Sequence, residues 1–183
     1  MFEFIIFALV TSITPGPNNS MLMASGIRFG RKKSLPHFCG IWLGFSFLFF
    51  IGGYLLTFLP DTIFQYLQYF GYIVITYIAY KVATTKSSSE KTQGLEKPFT
   101  FIQASLFQWV NPKGVVMAVS GLTAFGITNV EGALVYFLIL PFSLSVWLLV
   151  GEGLQSWLKT NALLERTVYV TLGLSMVGSL LLA

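Results

Sequence analysis

Apolar residues fall into six long stretches, at about 2–27, 35–58, 62–82, 100–125, 133–154 and 166–183, with almost no charge inside them and short polar connections between. A helix needs ~20 mostly apolar residues to cross the hydrocarbon core of a bilayer. The pattern therefore predicts six membrane-spanning helices and no separate soluble domain. Two stretches are interrupted at similar depth, the first by Thr14-Pro15-Gly16-Pro17-Asn18-Asn19 and the fourth by Asn111-Pro112-Lys113. Proline removes a backbone donor and clashes with the preceding turn. Groups freed this way are tolerated at membrane depth only where protein or water meets them. Each motif predicts a broken helix and a polar site within the membrane.

Composition sharpens this reading. The chain is 55% hydrophobic and 10% charged, with a mean hydropathy of +0.74, whereas a soluble domain is about a quarter charged. An all-α integral membrane protein follows. The apolar run 4–27 is too long for a signal peptide and has Glu3 where a basic flank belongs, so a retained first helix is expected. A lone cysteine, Cys39, forms neither an internal disulfide nor a thiol-redox pair. Acids, His and Cys are scarce within the spans, which disfavours a metal site; no metal and no cofactor are expected.

Charge placement sets orientation. Arg28, Arg31, Lys32 and Lys33 follow the first span, Lys81, Lys86, Lys91 and Lys97 surround the third connection, and Lys159 and Arg166 precede the sixth span. The other connections carry Asp61 and Glu131 and no cation. Cations in alternate connections mark those as cytoplasmic and put both termini outside. The net charge of +4 thus speaks of topology, and no nucleic-acid partner is expected.

The Ser/Thr/Lys-rich segment 84–97 reads as a flexible cytoplasmic connection. It divides a single transporter domain into a first repeat at about 1–84, a linker at about 85–98 and a second repeat at about 99–183. Each half has three spans, an odd number, so the second enters the membrane from the opposite side and the halves form an inverted repeat. Pro15 and Pro112 then correspond, and broken helices at matched positions of inverted halves point to a transporter's binding site.

Thr14 and Asn111 each precede a proline and are candidate N-caps, with Pro15 or Pro17 and Pro112 opening the resumed helices. Unpaired amides and the helix dipole at such starts favour a carboxylate. Gly16 permits close backbone approach, while Asn18, Asn19, Ser20 and Gln108 supply neutral donors and acceptors. Lys113 is the one cation inside a span. It pairs either with a substrate carboxylate or with carbonyls freed by the breaks. Glu152, near the cytoplasmic end of the fifth span, is a candidate for carrying a coupling proton or binding a substrate ammonium, weighed equally against an interfacial glutamate. His37, beside the Arg31–Lys33 cluster, is expected to face lipid headgroups, with a proton-relay role as the lesser alternative. Pro141 is expected to kink the fifth span. Gly26–Gly30 and Gly40–Gly44 have the spacing that lets helices approach closely, which leaves a homo-oligomer open.

At these residues the chain resembles the LysE/RhtB family of amino-acid exporters. The resemblance covers nearly the whole chain, is strongest over Thr14–Asn19, and continues through Gly30-Arg31, Leu35…Gly40…Gly44 and Phe107-Gln-Trp-Val-Asn-Pro-Lys113. It implies export of amino acids or close derivatives from the bacterial cytoplasm across the inner membrane, driven by a proton or ion gradient. It reaches Pro15, Gly16, Pro17, Asn18, Asn111, Pro112 and Lys113 residue by residue. Ser120–Phe125 replaces the Pro-Gln-Phe-like element of many members, similar to the branch that includes the cysteine and O-acetylserine exporter, which tilts expectation toward small neutral amino acids. A passive channel is the alternative, and an intramembrane enzyme using Lys113, His37 and Glu152 is disfavoured because these groups sit at different depths.

Overall fold

Helix starts are written locally in this chain. Thr100 with Gln103 and Thr128 with Glu131 form reciprocal capping boxes, and Asn161 accepts the amide of Leu164. In the computed structural model, which describes residues 1–52, 55, 58–85 and 96–182, every regular element is helical. The order is α1 (Phe2–Ile13), α2 (Pro17–Phe47, continued by a π-helical turn Leu48–Gly52), α3 (Asp61–Ala83), α4 (Phe101–Val110), α5 (Pro112–Phe125), α6 (Asn129–Leu158) and α7 (Ala162–Gly178, continued by a 3₁₀ turn Ser179–Leu182). Both predicted breaks are present, between α1 and α2 and between α4 and α5.

One predicted connection shrinks to a single residue. The cationic stretch after the first span was expected to be a loop, yet α2 runs through it with Gly30 as its single non-helical residue, at φ 74° and ψ 166°. That backbone lies in the left-handed region where glycine alone is unstrained, and it folds α2 into two arms, residues 17–29 and 31–47. The reversal is sharp: Ser25 and Ser34 hydroxyls meet at 2.7 Å, although nine helical residues would separate them by ~13 Å. Backbone groups stranded by the turn find partners on α6, where Gln155 donates to the Ile27 carbonyl at 2.9 Å and Glu152 accepts the Arg31 amide at 3.1 Å.

Two apolar cores hold the helices. One joins α1, both arms of α2, α4, α5 and α6 around Phe4, Phe45, Phe49 and Tyr136. The other joins the first arm of α2 to α3, α4 and α7 around Ile75, Phe107, Tyr169 and Met176. Glycines set the close contacts. A Cβ at Gly26 would lie 2.6 Å from the Leu148 carbonyl oxygen, and one at Gly40 would lie 2.5 Å from that of Phe101, so the small-residue spacing does serve helix approach.

Polarity is arranged inside out. Leu138, Phe142, Ile73 and Leu174 project outward while Asn19, Gln108, Asn111 and Ser143 are buried, as suits a lipid solvent. The stretches Pro17–Gly52 and Asn129–Leu158 are long and apolar enough to cross a membrane, and α1 and α5 are shorter apolar helices. Trp157, more than half exposed, sits near the end of α6.

Pro141 does not break α6, which stays helical for 30 residues. Its missing N–H frees the carbonyl of Phe137, one turn earlier, and the Trp42 indole donates to that oxygen at 2.8 Å. The predicted linker falls largely on 86–95, outside the described residues.

Candidate functional site

Ending α1 at Ile13 strands the carbonyls of its last turn. Side chains from three other helices meet them. Ser12 O accepts from Asn19 Nδ2 at 2.7 Å and from Ser143 Oγ at 2.6 Å. Ile13 O accepts from the Trp147 indole at 3.1 Å. Thr14 O accepts from Asn19 Nδ2 at 2.9 Å and from Lys113 Nζ at 3.4 Å, and Pro15 O accepts from Lys113 at 3.3 Å. Lys113 also donates to Thr14 Oγ1 at 2.9 Å. Of the two partners weighed for Lys113, the carbonyls of the opposite break are the ones it holds in this conformation.

The N-cap expected at Thr14 falls instead on Gly16, with Pro17 at the first helical position. A residue preceding proline is disfavoured in the helical region. With prolines at both 15 and 17, neither Thr14 nor Gly16 joins a helix, and α2 starts two residues later than a cap at Thr14 would give. The Asn18 and Asn19 amides occupy the first turn of α2, where no intrahelical acceptor exists.

The second break is a single residue. Asn111 is extended, at φ −79° and ψ 104°, and serves as both the end of α4 and the N-cap position of α5. Its side chain makes no capping bond. Although the residue is 2% exposed, its Oδ1 is buried without a partner. The break is braced from α3, where a Cβ on Gly71 would lie 2.1 Å from the Val110 carbonyl oxygen.

The two breaks meet in one cavity of about 30 Å³. Gly16, Pro17, Asn18, Asn19, Asn111 and Lys113 line it, together with Thr11, Ser12, Phe45, Gly114, Met117, Leu140 and Leu144, which sequence reasoning missed. The Thr11-Ser12 pair just before the break was a readable polar signal; the apolar wall was not. Thr14, Pro15, Gln108 and Pro112 stand behind the lining. Gln108 is wholly buried and exchanges two amide hydrogen bonds with Asn18, at 2.8 and 3.1 Å, tying α4 to α2. Gly16 leaves room for Lys113, whose Nζ would lie 3.0 Å from a Cβ there.

Two other candidates lie elsewhere. Glu152 is outside the cavity lining, at the Gly30 turn, where its carboxylate also pairs with the Arg31 guanidinium at 3.4 Å. His37, expected against headgroups, is buried in protein and stacks on Phe99. Sequence reasoning also passed over Glu165, buried on α7 with Oε2 unpaired, one turn from the unpaired hydroxyl of Tyr169. No group of three or more His, Cys, Asp or Glu suited to a metal is found among the described residues.

The sequence profile described as LysE type translocator matches residues 9–182. The chain belongs to this family. Relatives of the LysE type translocator include a cysteine/O-acetylserine efflux protein of Salmonella paratyphi A, 26% identical over 162 residues, which cover 83% of this chain and 82% of the relative. A protein of the same description from Escherichia coli O1:K1 is 30% identical over 126 residues, covering 67% and 63%. That of Escherichia coli strain K12 is 28% identical over 125 residues, covering 67% and 63%. No solved structure matches the chain. Family and fold agree on a helical membrane protein, and the fold encloses a small cavity with one polar and one apolar side.

Proposed function

We propose that this translocator exports a small neutral amino acid, of the cysteine or O-acetylserine kind, from the bacterial cytoplasm across the inner membrane by alternating access. The observation carrying this reading is the junction of the two breaks, where Lys113, the first turns of α2 and α5 and Asn111, whose Oδ1 is buried without a partner, line one cavity. That set complements a zwitterion. The carboxylate takes Lys113 and the first-turn amides, which carry the positive end of a helix dipole. The ammonium takes Asn111 Oδ1.

At about 30 Å³ the cavity has room for a water or two and is smaller than any amino acid. Substrate admission therefore requires the end of α1 to withdraw from Lys113, with the substrate carboxylate replacing Thr14 and Pro15 as its partner. Such an exchange of partners ties loading to movement.

Two inverted halves supply the movement in this reading. Matching elements of the halves pack against each other: the first break on the second through Lys113 and Thr14, the second arm of α2 on α6 through Trp42 and Phe137, and α3 on α7 through Gly173 and Ala79. Rocking one half against the other opens the junction to either side. The cationic connections face the cytoplasm, both termini face outward, and a proton or ion gradient drives export.

Label efflux from cells expressing the chain tests the reading. Efflux of cysteine or O-acetylserine above that of control cells, abolished by an uncoupler, is expected; efflux equal to control sinks it. Counterflow in proteoliposomes separates a carrier from a passive channel, because a carrier accumulates label against its gradient and a pore only equilibrates it.

A further inference from the structure

His37 is 1% exposed, and neither of its ring nitrogens has a hydrogen-bond partner. A neutral imidazole carries one donor and one acceptor and a protonated one carries two donors, so this burial leaves the ring unmet in every protonation state. The cover is Phe99, stacked at a centroid distance of 5.2 Å and an interplanar angle of 30°. Met21, Ser25, Phe29, Lys97 and Pro98 complete the enclosure. The nearby Ser25 hydroxyl is committed to Ser34. Phe99 packs against both apolar cores, where the chain enters α4.

The charged residues nearest this site along the described chain are Lys97, the exposed Glu96 beside it, and Lys33. Lys97 belongs to the enclosure, and Lys33 precedes His37 by one turn on the second arm of α2. Among the described residues no carboxylate lines the enclosure. An imidazolium held here has no counter-charge and no acceptor for its two donors. Lifting segment 97–99 exposes the ring to water, which meets both.

The geometry points to His37 as a proton-exchange site at the cytoplasmic end of the translocator, gated by Phe99. Closed, the gate holds a neutral and unmet ring; open, it admits water and a proton together, so proton binding and opening are one linked equilibrium. The site connects to the cavity. Ser25 lies seven residues beyond Asn18 on the same face of the first arm of α2, ~10 Å along the helix, and Asn18 lines the cavity between the breaks. This inference rests on the exporter reading and adds to it the group that exchanges protons with the cytoplasm.

His37 is the one histidine of the chain, so diethyl pyrocarbonate, read by mass spectrometry at this residue, reports this site alone. A gate that is open in about 0.1–10% of molecules makes the purified wild type react at least about tenfold slower than its unfolded chain. Phe99→Ala is expected to raise the rate about tenfold or more, while Phe99→Tyr, which keeps the ring, is expected to stay slow. Equal rates in wild type and Phe99→Ala, or a wild type as fast as its unfolded chain, overturn the gate.

The proton role is read in proteoliposomes loaded with O-acetylserine. His37→Gln is expected to retain exchange at equal pH and to lose acceleration by an imposed pH gradient; acceleration equal to wild type overturns it. A wild type that exchanges nothing overturns the exporter reading and not the gate, which the modification rates decide by themselves.

Discussion

The two breaks have the same origin in proline and opposite outcomes. At the first, three residues leave the helix and the freed carbonyls of Ser12, Ile13, Thr14 and Pro15 are met by Asn19, Ser143, Trp147 and Lys113. At the second, only Asn111 leaves the helix, and its side-chain oxygen is buried unmet. A buried acceptor without a partner costs ~1–3 kcal/mol. The first break thus works as a joint whose bonds stabilise the fold, and the second leaves an unmet acceptor, the one the proposed substrate ammonium would take. Lys113 belongs to both, since it grows from the second break and is bonded to the first.

Lys113→Ala attacks that shared element and should have the largest effect on transport. Losing its charge-assisted bonds, ~3 kcal/mol, corresponds to efflux roughly 100-fold lower, with the protein still in the membrane by immunoblot. Efflux at the wild-type level would remove Lys113 from the site. Gly71→Ala comes next and acts on stability. Its Cβ would stand 2.1 Å from the Val110 oxygen, an overpacking worth about 2–3 kcal/mol. The melting temperature in detergent should fall by roughly 5–10 °C.

The comparison is tested most directly by two asparagines. Asn19→Ala deletes bonds to Ser12 O and Thr14 O and should cost ~1–3 kcal/mol of stability. Asn111→Ala removes an acceptor that has no partner, so stability should hold while half-saturation for substrate rises about tenfold, the loss of one hydrogen bond to an ammonium. The opposite pairing of effects would reverse the roles assigned to the two breaks.

A third proline offers a smaller test. Trp42→Phe should cost ~1 kcal/mol by stranding Phe137 O, and adding Pro141→Ala should recover most of it by restoring the missing N–H. A double variant no more stable than Trp42→Phe alone would exclude the indole as that proline's compensation.

The smallest effect concerns pH. The amide and then the hydroxyl of Thr128 hold the Glu131 carboxyl below the usual glutamate range. A carboxyl lowered by folding adds stability that is fully present above its unfolded-state pKa and is lost as pH falls through the folded-state value. The wild type's advantage over Glu131→Gln in melting temperature should therefore shrink as the solution is acidified past the ordinary glutamate range. An advantage that does not change with pH would dissociate the cap from ionisation.

Much of the helical layout was legible because its signals are local. The capping boxes at Thr100 and Thr128 sit where the fourth and fifth spans were expected to begin, to within a few residues, and the prolines at 15, 17 and 112 mark the two breaks, whereas Pro36 and Pro141 are carried inside α2 and α6. The Gly30 turn was hidden, since a basic cluster in a membrane protein reads as a loop and the Ser25–Ser34 bond that closes the turn leaves no sequence pattern. His37 was misplaced for a related reason. Its position in the chain suggests the headgroup region, and only the return of the chain at Phe99 buries it. The cavity's polar half was readable at the motifs, whereas Phe45, Met117, Leu140 and Leu144 are indistinguishable from any other apolar residue in a span.

Alone, the amino-acid order determined where this chain must live and where its helices could break, because hydrophobic length and a missing proline N–H act locally on each segment, although α2 and α6 run on through Pro36 and Pro141. Which group answers each stranded carbonyl was decided by tertiary structure alone. Lys113 reaches Thr14 across 99 residues and Gln108 reaches Asn18 across 90, and bonds over such separations exist only after the helices have packed.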